Sequence, residues 1–325
     1  MTSRRVLITG ASSGIGLATA LRFARQGAHV ALLARNERGL AVAAALVRAA
    51  GGRSLELRAD VTDRDALRRA FERASGELGG LDVVVANVGA AAYGRFEETP
   101  AEDFRRVIEV TLLGNVDTIR EALPLLKRSR GSLVVTGSAA ADVPMPLMSA
   151  YTAAKYAMRG FVDALGAELR ASGSPVHLAL VEPGPVDTPF WVHVASEDGG
   201  LPPSLPFAYD PDEVALAIVR AADRRSERTT VGALMLAARA ARGIARPLAD
   251  RVLARASALA RSSGAERRGT AAIWNPSGEG RLHGGIGGRP SLLVRGATSV
   301  RGAAAALGGT LTGLAAGDAE DGASR

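Results

Sequence analysis

Along residues 5–232, short runs of consecutive apolar residues alternate with longer stretches in which apolar positions recur every three or four residues. The runs at 5–9, 29–34, 54–59, 81–86, 131–137 and 176–181, with a last one ending near Val231, are bounded by Gly or charged residues. They read as strands buried on both faces, the signature of a parallel sheet. The periodic stretches predict helices over 17–26, 37–50, 64–77, 101–127 (bent near Gly114), 149–172 and 211–224. Thr62 or Asp63 suits the N-cap of the third of these. Strands alternating with helices through short connections specify an α/β fold, a Rossmann-like doubly wound parallel sheet with helices on both faces.

Two stretches depart from that rhythm. Residues 190–210 carry Phe190, Trp191, Phe207, Tyr209 and several prolines, much of the aromatic content in one loop. The loop is read as a lid over an apolar substrate, the plainer alternative being a loop packed on the sheet edge. Residues 233–262 are helical in pattern, Ala/Leu-rich with Arg on the polar positions. They suit a pocket cover or an oligomer contact better than a membrane-surface helix, although peripheral membrane contact stays open. Past Gly264 the composition turns to Gly, Arg, Ser and Ala. The expected organisation is therefore a domain over 1–264 and a poorly ordered C-terminal extension over 265–325. Its uncharged run at 302–317 is too short and too poor in large side chains for a membrane span.

Composition narrows the chemistry. The 325 residues are 47% hydrophobic, ample for a core, but contain no Cys and only 4 His, which argues against disulfides and metal sites. A net charge of +7 comes from Arg spread over helices and tail. It forms no basic stripe with stacking aromatics, so nucleic acid is not an expected partner. Arg4-Arg5 and the apolar residues after them break at once into a glycine-rich turn, unlike an export signal, and a cytoplasmic protein is expected.

Between the first strand and the first helix lie Gly10, Ser12, Ser13, Gly14, Ile15 and Gly16. A glycine-rich turn there lets backbone N–H groups at a helix N-terminus approach a pyrophosphate. Arg35 ends the second strand, where an acid would hold a ribose 2′-OH and an Arg suits a 2′-phosphate. NADP is expected over NAD on that ground, with Glu37 following closely. Asp60 at the third strand end offers an acceptor to an adenine amine or caps the next helix. Small residues at Asn87-Val88-Gly89 leave room for a cofactor across the strand ends. Ser138 follows another strand end, and Tyr151 and Lys155 are four residues apart on one helix face. A phenol titrates at about 10, and a neighbouring ammonium would pull it toward neutrality. A serine hydroxyl beside it would hold a carbonyl or alcohol oxygen. Alone, this spacing occurs in many helices without chemistry.

Taken together, the segment TGASSGIG at 9–16, Asp60-Val61, Asn87-Val88-Gly89, Ser138, Tyr151 with Lys155, and Pro183-Gly184 resemble the short-chain dehydrogenase/reductase family over residues 4–235. The resemblance implies that Tyr151 is the general acid/base, that Lys155 lowers its pKa and binds the nicotinamide ribose, and that Ser138 orients the substrate oxygen. It also implies that Pro183, Gly184, Val186 and Thr188 lie beside the nicotinamide, and that the chain forms a homodimer or homotetramer through the helices at 101–127 and 149–172. One departure stands out: Thr111 occupies the place of the family's Asn in an N-x-x-G pattern, with Asn115 one turn further on. Ile273-Trp274-Asn275-Pro276 and Arg281-Leu282-His283-Gly284 resemble a tail of some extended members and name no substrate. The expected function is an NADP-dependent oxidoreductase interconverting a carbonyl and a secondary alcohol on an apolar small molecule. The alternative, motivated by Thr111, is a dinucleotide-binding sensor or scaffold with little turnover.

Overall fold

Seven strands form one parallel sheet: β1 (Arg5–Thr9), β2 (His29–Ala34), β3 (Arg53–Arg58), β4 (Val83–Ala86), β5 (Ser132–Thr136), β6 (His177–Pro183) and β7 (Arg228–Val231), in the order β3-β2-β1-β4-β5-β6-β7. The computed structural model describes residues 3–196, 202, 208–253, 255, 273–276 and 280–285. Side chains alternate across the sheet, as a two-residue period requires. Val6, Ile8, Val30, Leu32, Val83 and Val85 enter one core, with α1 (Gly14–Ala24), α2 (Glu37–Ala49) and α7 (Pro211–Arg224) over them. Leu7, Ala31, Leu33, Val84 and Ala86 enter the other, under α3 (Arg64–Leu78), α5 (Gly114–Ser129) and α6 (Ser149–Ala171). Both faces are dry, which is why the strands read as continuous apolar runs.

Local chemistry sets the boundaries. Asp63, not Thr62, caps α3 by accepting from the Ala66 N–H at 2.9 Å, and Gly79 ends that helix at φ +74°. Asn36 caps α2 and Asp210 caps α7, where Pro211 takes the first turn. The first helix begins at Gly14, three residues before the apolar pattern announces it, because Ser13 is already extended at φ −161°.

The long helix expected over 101–127 is interrupted. α4 (Ala101–Ile108) runs into a π-turn over Glu109–Leu113 before α5 resumes. The widened turn carries Thr111, whose hydroxyl accepts from the Ala90 N–H and donates to the Ala90 C=O, both at 2.9 Å. Gly114 then packs on Val61 so closely that a Cβ would lie 2.5 Å from its Cγ2. Pro124 sits inside α5, and the helix ends at Ser129 with Arg130 at φ +55°. The helix expected over 233–262 also divides. α8 (Ala233–Ile244) stops before Ala245, and a second helical stretch covers 246–253, since Pro247 lacks the N–H that would continue the first. The rest of that prediction, Phe207, most of 265–325 and the run at 302–317 lie outside the described residues. Among the described residues, no helix is long and apolar enough to cross a membrane.

Strand order reverses between β1 and β4, so the loops leaving their carboxyl ends diverge and open a groove. Most of the candidate residues line the cavity at the carboxyl ends of the strands.

Candidate active site

A cavity of about 520 Å³ follows the carboxyl ends of β1, β2, β4, β5 and β6. At one end the turn after β1 passes through Gly10 at φ +67° and Gly14 at φ +52°, conformations that a side chain would strain. A Cβ on Gly14 would meet the Thr188 side chain at 3.0 Å, and one on Gly16 would lie 2.2 Å from the Gly10 carbonyl oxygen. The start of α1 is thus drawn tightly against β1, with its N-terminal end open to the cavity. Asn87 fastens β4 to β1: its N–H donates to Thr9 Oγ1 at 3.0 Å and its amide to the Thr9 C=O at 3.2 Å.

At the far end of this wall, Asp60 is already well occupied. It accepts from the Thr62 N–H at 3.0 Å, the Thr62 hydroxyl at 2.8 Å and the Arg106 guanidinium at 2.7 Å. Although burial alone would raise its pKa, these bonds hold the carboxyl below its usual value. Arg35 approaches the same carboxylate at 3.5 Å and donates to the carbonyls of Ile273 and Trp274 at 3.1 and 3.3 Å. Arg35 and Asp60 therefore line this end of the groove, with the buried Arg106 guanidinium behind the carboxylate.

At the opposite end, Ser138 leaves β5 in extended conformation, its hydroxyl accepting from the Ala140 N–H at 3.1 Å on the same cavity wall as Tyr151. Lys155, one turn along α6, donates to the Thr136 C=O at 2.9 Å, and its nitrogen lies 5.7 Å from the Tyr151 ring centre. Both side chains are buried, which disfavours their charged forms. Burial pushes the Tyr151 phenol up to about 12, against the opposing effect of the Ser138 side chain. It brings the Lys155 ammonium down to about 8. The lowering expected from Lys155 is opposed here by burial, the largest influence on the phenol, and the Lys155 ammonium is turned onto a backbone carbonyl. Phe190 covers the phenol with ring centres 5.3 Å apart, and Trp191 is anchored behind it by a 2.8 Å bond to the Val186 C=O.

A family model for short chain dehydrogenases matches residues 4–199. The chain is 38% identical over 239 residues to the probable oxidoreductase EphD of Mycobacterium tuberculosis, covering 68% of this chain and 39% of that protein. It is 32% identical to the uncharacterized oxidoreductase YxnA of Bacillus subtilis, over 70% of this chain and 65% of the other. The chain therefore spans less than two thirds of the length of these curated relatives. Among solved structures, an alcohol dehydrogenase from the archaeon Thermococcus sibiricus complexed with 5-hydroxy-NADP aligns with a TM-score of 0.62 at 32% identity, over 70% of this chain and 96% of that one. A short chain dehydrogenase from Mycobacterium paratuberculosis bound to NAD aligns equally well, with a TM-score of 0.62 at 28% identity and the same coverage. The chain belongs to the short chain dehydrogenase family.

As a member of this family, the chain carries the fold and groove of a NAD(P)-dependent dehydrogenase or reductase. The groove suits such a dinucleotide on its own geometry: a glycine cradle that a Cβ would fill, Ser12, Ser13, Gly14 and Ile15 lining it at the start of α1, and Arg35 at the end of β2. The cavity brings together Gly10, Ser12, Ser13, Gly14, Ile15, Arg35, Asp60, Val61, Asn87, Gly89, Ser138, Tyr151, Lys155, Pro183, Gly184, Val186 and Thr188. Gly16 and Thr111 stand outside its lining. Gly16 acts through close packing, while Thr111 is fully buried and spends its hydroxyl on Ala90. Asn115 donates to the carbonyls of Val88 and Thr111 at 2.8 Å each, and its Oδ1 is buried without a partner among the described residues. Sequence reading missed Arg106, His193 and Met148, and singled out 273–276 and 281–284 without a role at the site. Arg106 carried no local signal, being one of many arginines on helix faces.

Proposed function

We propose that the protein is an NADP-dependent oxidoreductase that interconverts a carbonyl and a secondary alcohol on an apolar small molecule. The observation that carries this reading is the convergence of Ser138, Tyr151 and Lys155 on one cavity with the glycine-rich start of α1. The bound dinucleotide supplies the hydride chemistry. Tyr151, neutral at working pH, donates its hydroxyl proton to the carbonyl oxygen during reduction and takes it back during oxidation. Ser138 holds that oxygen against the phenol. Lys155, with a pKa of about 8, exchanges protons near neutral pH and replenishes the phenol. Thr111 shapes the Ala90 backbone in the place of the family's Asn, and Asn115 supplies the amide one turn away.

Arg35 and Arg106 support NADP, since guanidiniums suit a 2′-phosphate and the end of β2 offers no acid to a free 2′-hydroxyl. Phe190, Trp191, Met145, Met148 and Val143 line the catalytic end and favour an apolar substrate. The family resemblance also supports a homodimer or homotetramer formed through α4–α5 and α6.

The test is a panel of ketones, aldehydes and secondary alcohols with NADPH and NADH, run on wild type, Tyr151→Phe and Arg35→Ala. Tyr151→Phe is expected to lose about 10²–10⁴ in kcat while binding the dinucleotide normally. Arg35→Ala should raise KM for NADPH and leave that for NADH nearly unchanged. Full turnover by Tyr151→Phe would remove the acid/base assignment. No hydride transfer by wild type even in a single turnover would favour a dinucleotide sensor.

A further inference from the structure

The second half of the described C-terminal chain lies across the groove, and its contacts fall on both rims. At the Arg35 end, Ile273 is buried and its carbonyl accepts from Arg35 at 3.1 Å and from Arg106 Nε at 3.2 Å. Trp274 lies under the Arg106 guanidinium, 5.5 Å from the ring centre, and donates its indole N–H to Asp103 at 2.6 Å. At the start of α1, the Gly14 N–H donates to the Arg281 C=O at 3.0 Å. Leu282 packs onto the core beside α1, and His283 faces Asp210 at 3.2 Å. Gly284 donates to Asp187 at 3.1 Å and lies so close to the opposite wall that a Cβ would be 2.2 Å from the Thr188 carbonyl oxygen.

We infer that residues 273–276 and 280–285 form a clasp that completes the cofactor site, so that docking of this strap and binding of the dinucleotide reinforce each other. The inference rests on the reading of the groove as a dinucleotide site. Two observations favour a clasp over a plug. The cavity stays open beneath the strap, with Ile273 and Pro276 among its walls. Beyond its bonds to Gly14, Arg35 and Arg106, the strap's polar anchors are the rim groups Asp103, Asp187 and Asp210, and none is Ser138, Tyr151 or Lys155.

Linkage makes the inference reciprocal: whatever factor the dinucleotide contributes to strap docking, the docked strap returns to dinucleotide affinity. The experiment uses the full chain and measures NADP⁺ binding by calorimetry, together with trypsin cleavage after Arg281 followed by mass spectrometry. In wild type, saturating NADP⁺ should slow that cleavage by about tenfold or more. Gly284→Val, which places a side chain where the Thr188 backbone lies, should weaken NADP⁺ binding about tenfold and lose the protection. His283→Ala, at an exposed pair on the rim, should shift both readings the same way by less, and it guards against misfolding of the first variant. Unchanged cleavage in the presence of bound NADP⁺, or variants that bind it as tightly as wild type, would overturn the clasp. Tighter binding by the variants would make the strap an inhibitor instead. Failure of wild type to bind any nicotinamide dinucleotide would overturn the groove assignment itself.

Discussion

Tyr151 and Lys155 have ordinary pKa values within half a unit of each other, and burial drives them apart, the phenol up to about 12 and the ammonium down to about 8. The sign of the stability effect follows from which state holds more protons. Between pH 8 and 10.5 the unfolded chain keeps the Lys155 proton while the folded chain has lost it, so stability rises with pH through that window. The penalty for burying the ammonium is fully present below pH 8 and amounts to roughly 3 kcal/mol. Tyr151 acts in the opposite direction above pH 10, where the folded chain retains a proton that the unfolded chain releases and stability falls. Urea denaturation from pH 7 to 10 should therefore show a stability rise in wild type that is absent in Lys155→Met. Equal slopes in the two proteins would mean that Lys155 is hydrated.

At the scale of elements, the π-turn between α4 and α5 is the feature that periodicity could not announce. The apolar pattern of 101–127 fits one helix, and Gly114 correctly marked where it bends. The extra residue in the turn is dictated by a partner elsewhere, the backbone of Ala90, which Thr111 binds at both its N–H and its C=O. Thr111→Val keeps the shape but leaves two buried backbone groups unpaired, and is expected to cost roughly 2–4 kcal/mol in urea denaturation. It should also lower kcat, since the segment it holds lines the cavity at Gly89 and Ala90. Thr111→Asn, whose amide can make the same pair of bonds, should recover much of both. A neutral Thr111→Val would show that the Ala90 backbone finds its own partners. The turn between β1 and α1 was more legible by contrast, because Gly10 and Gly14 take positive φ within the turn itself and Gly16 packs on the Gly10 carbonyl.

Across the whole molecule, the groove draws on strands β1, β2, β4, β5 and β6, the aromatic turn at Pro189–Val192, and the strap near residue 280. A ligand that spans these elements stabilises all of them at once. NADP⁺ at a hundred times its Kd should add about 2.7 kcal/mol and raise Tm by roughly 5–10 °C. NAD⁺ at the same concentration should raise it less. Differential scanning fluorimetry reads both, and a shift with neither would count against the groove. The Arg35→Ala variant should bring the two shifts together.

The amino-acid order by itself determined the parallel sheet, the limits of four helices and the glycine-rich, serine, tyrosine and lysine positions of the cavity. Those features follow from backbone rules that act over a few residues: continuous apolar runs, glycines at positive φ, caps and the four-residue pairing of Tyr151 with Lys155. Only the tertiary structure decided the rest. Arg106 reaches Asp60 across 46 residues, and Ile273 reaches Arg35 across 238, separations that leave no pattern in either segment. It also set the surroundings of Tyr151 and Lys155: spacing alone suggested a lowered phenol, whereas the fold removes both groups from water, where a charged form is costly.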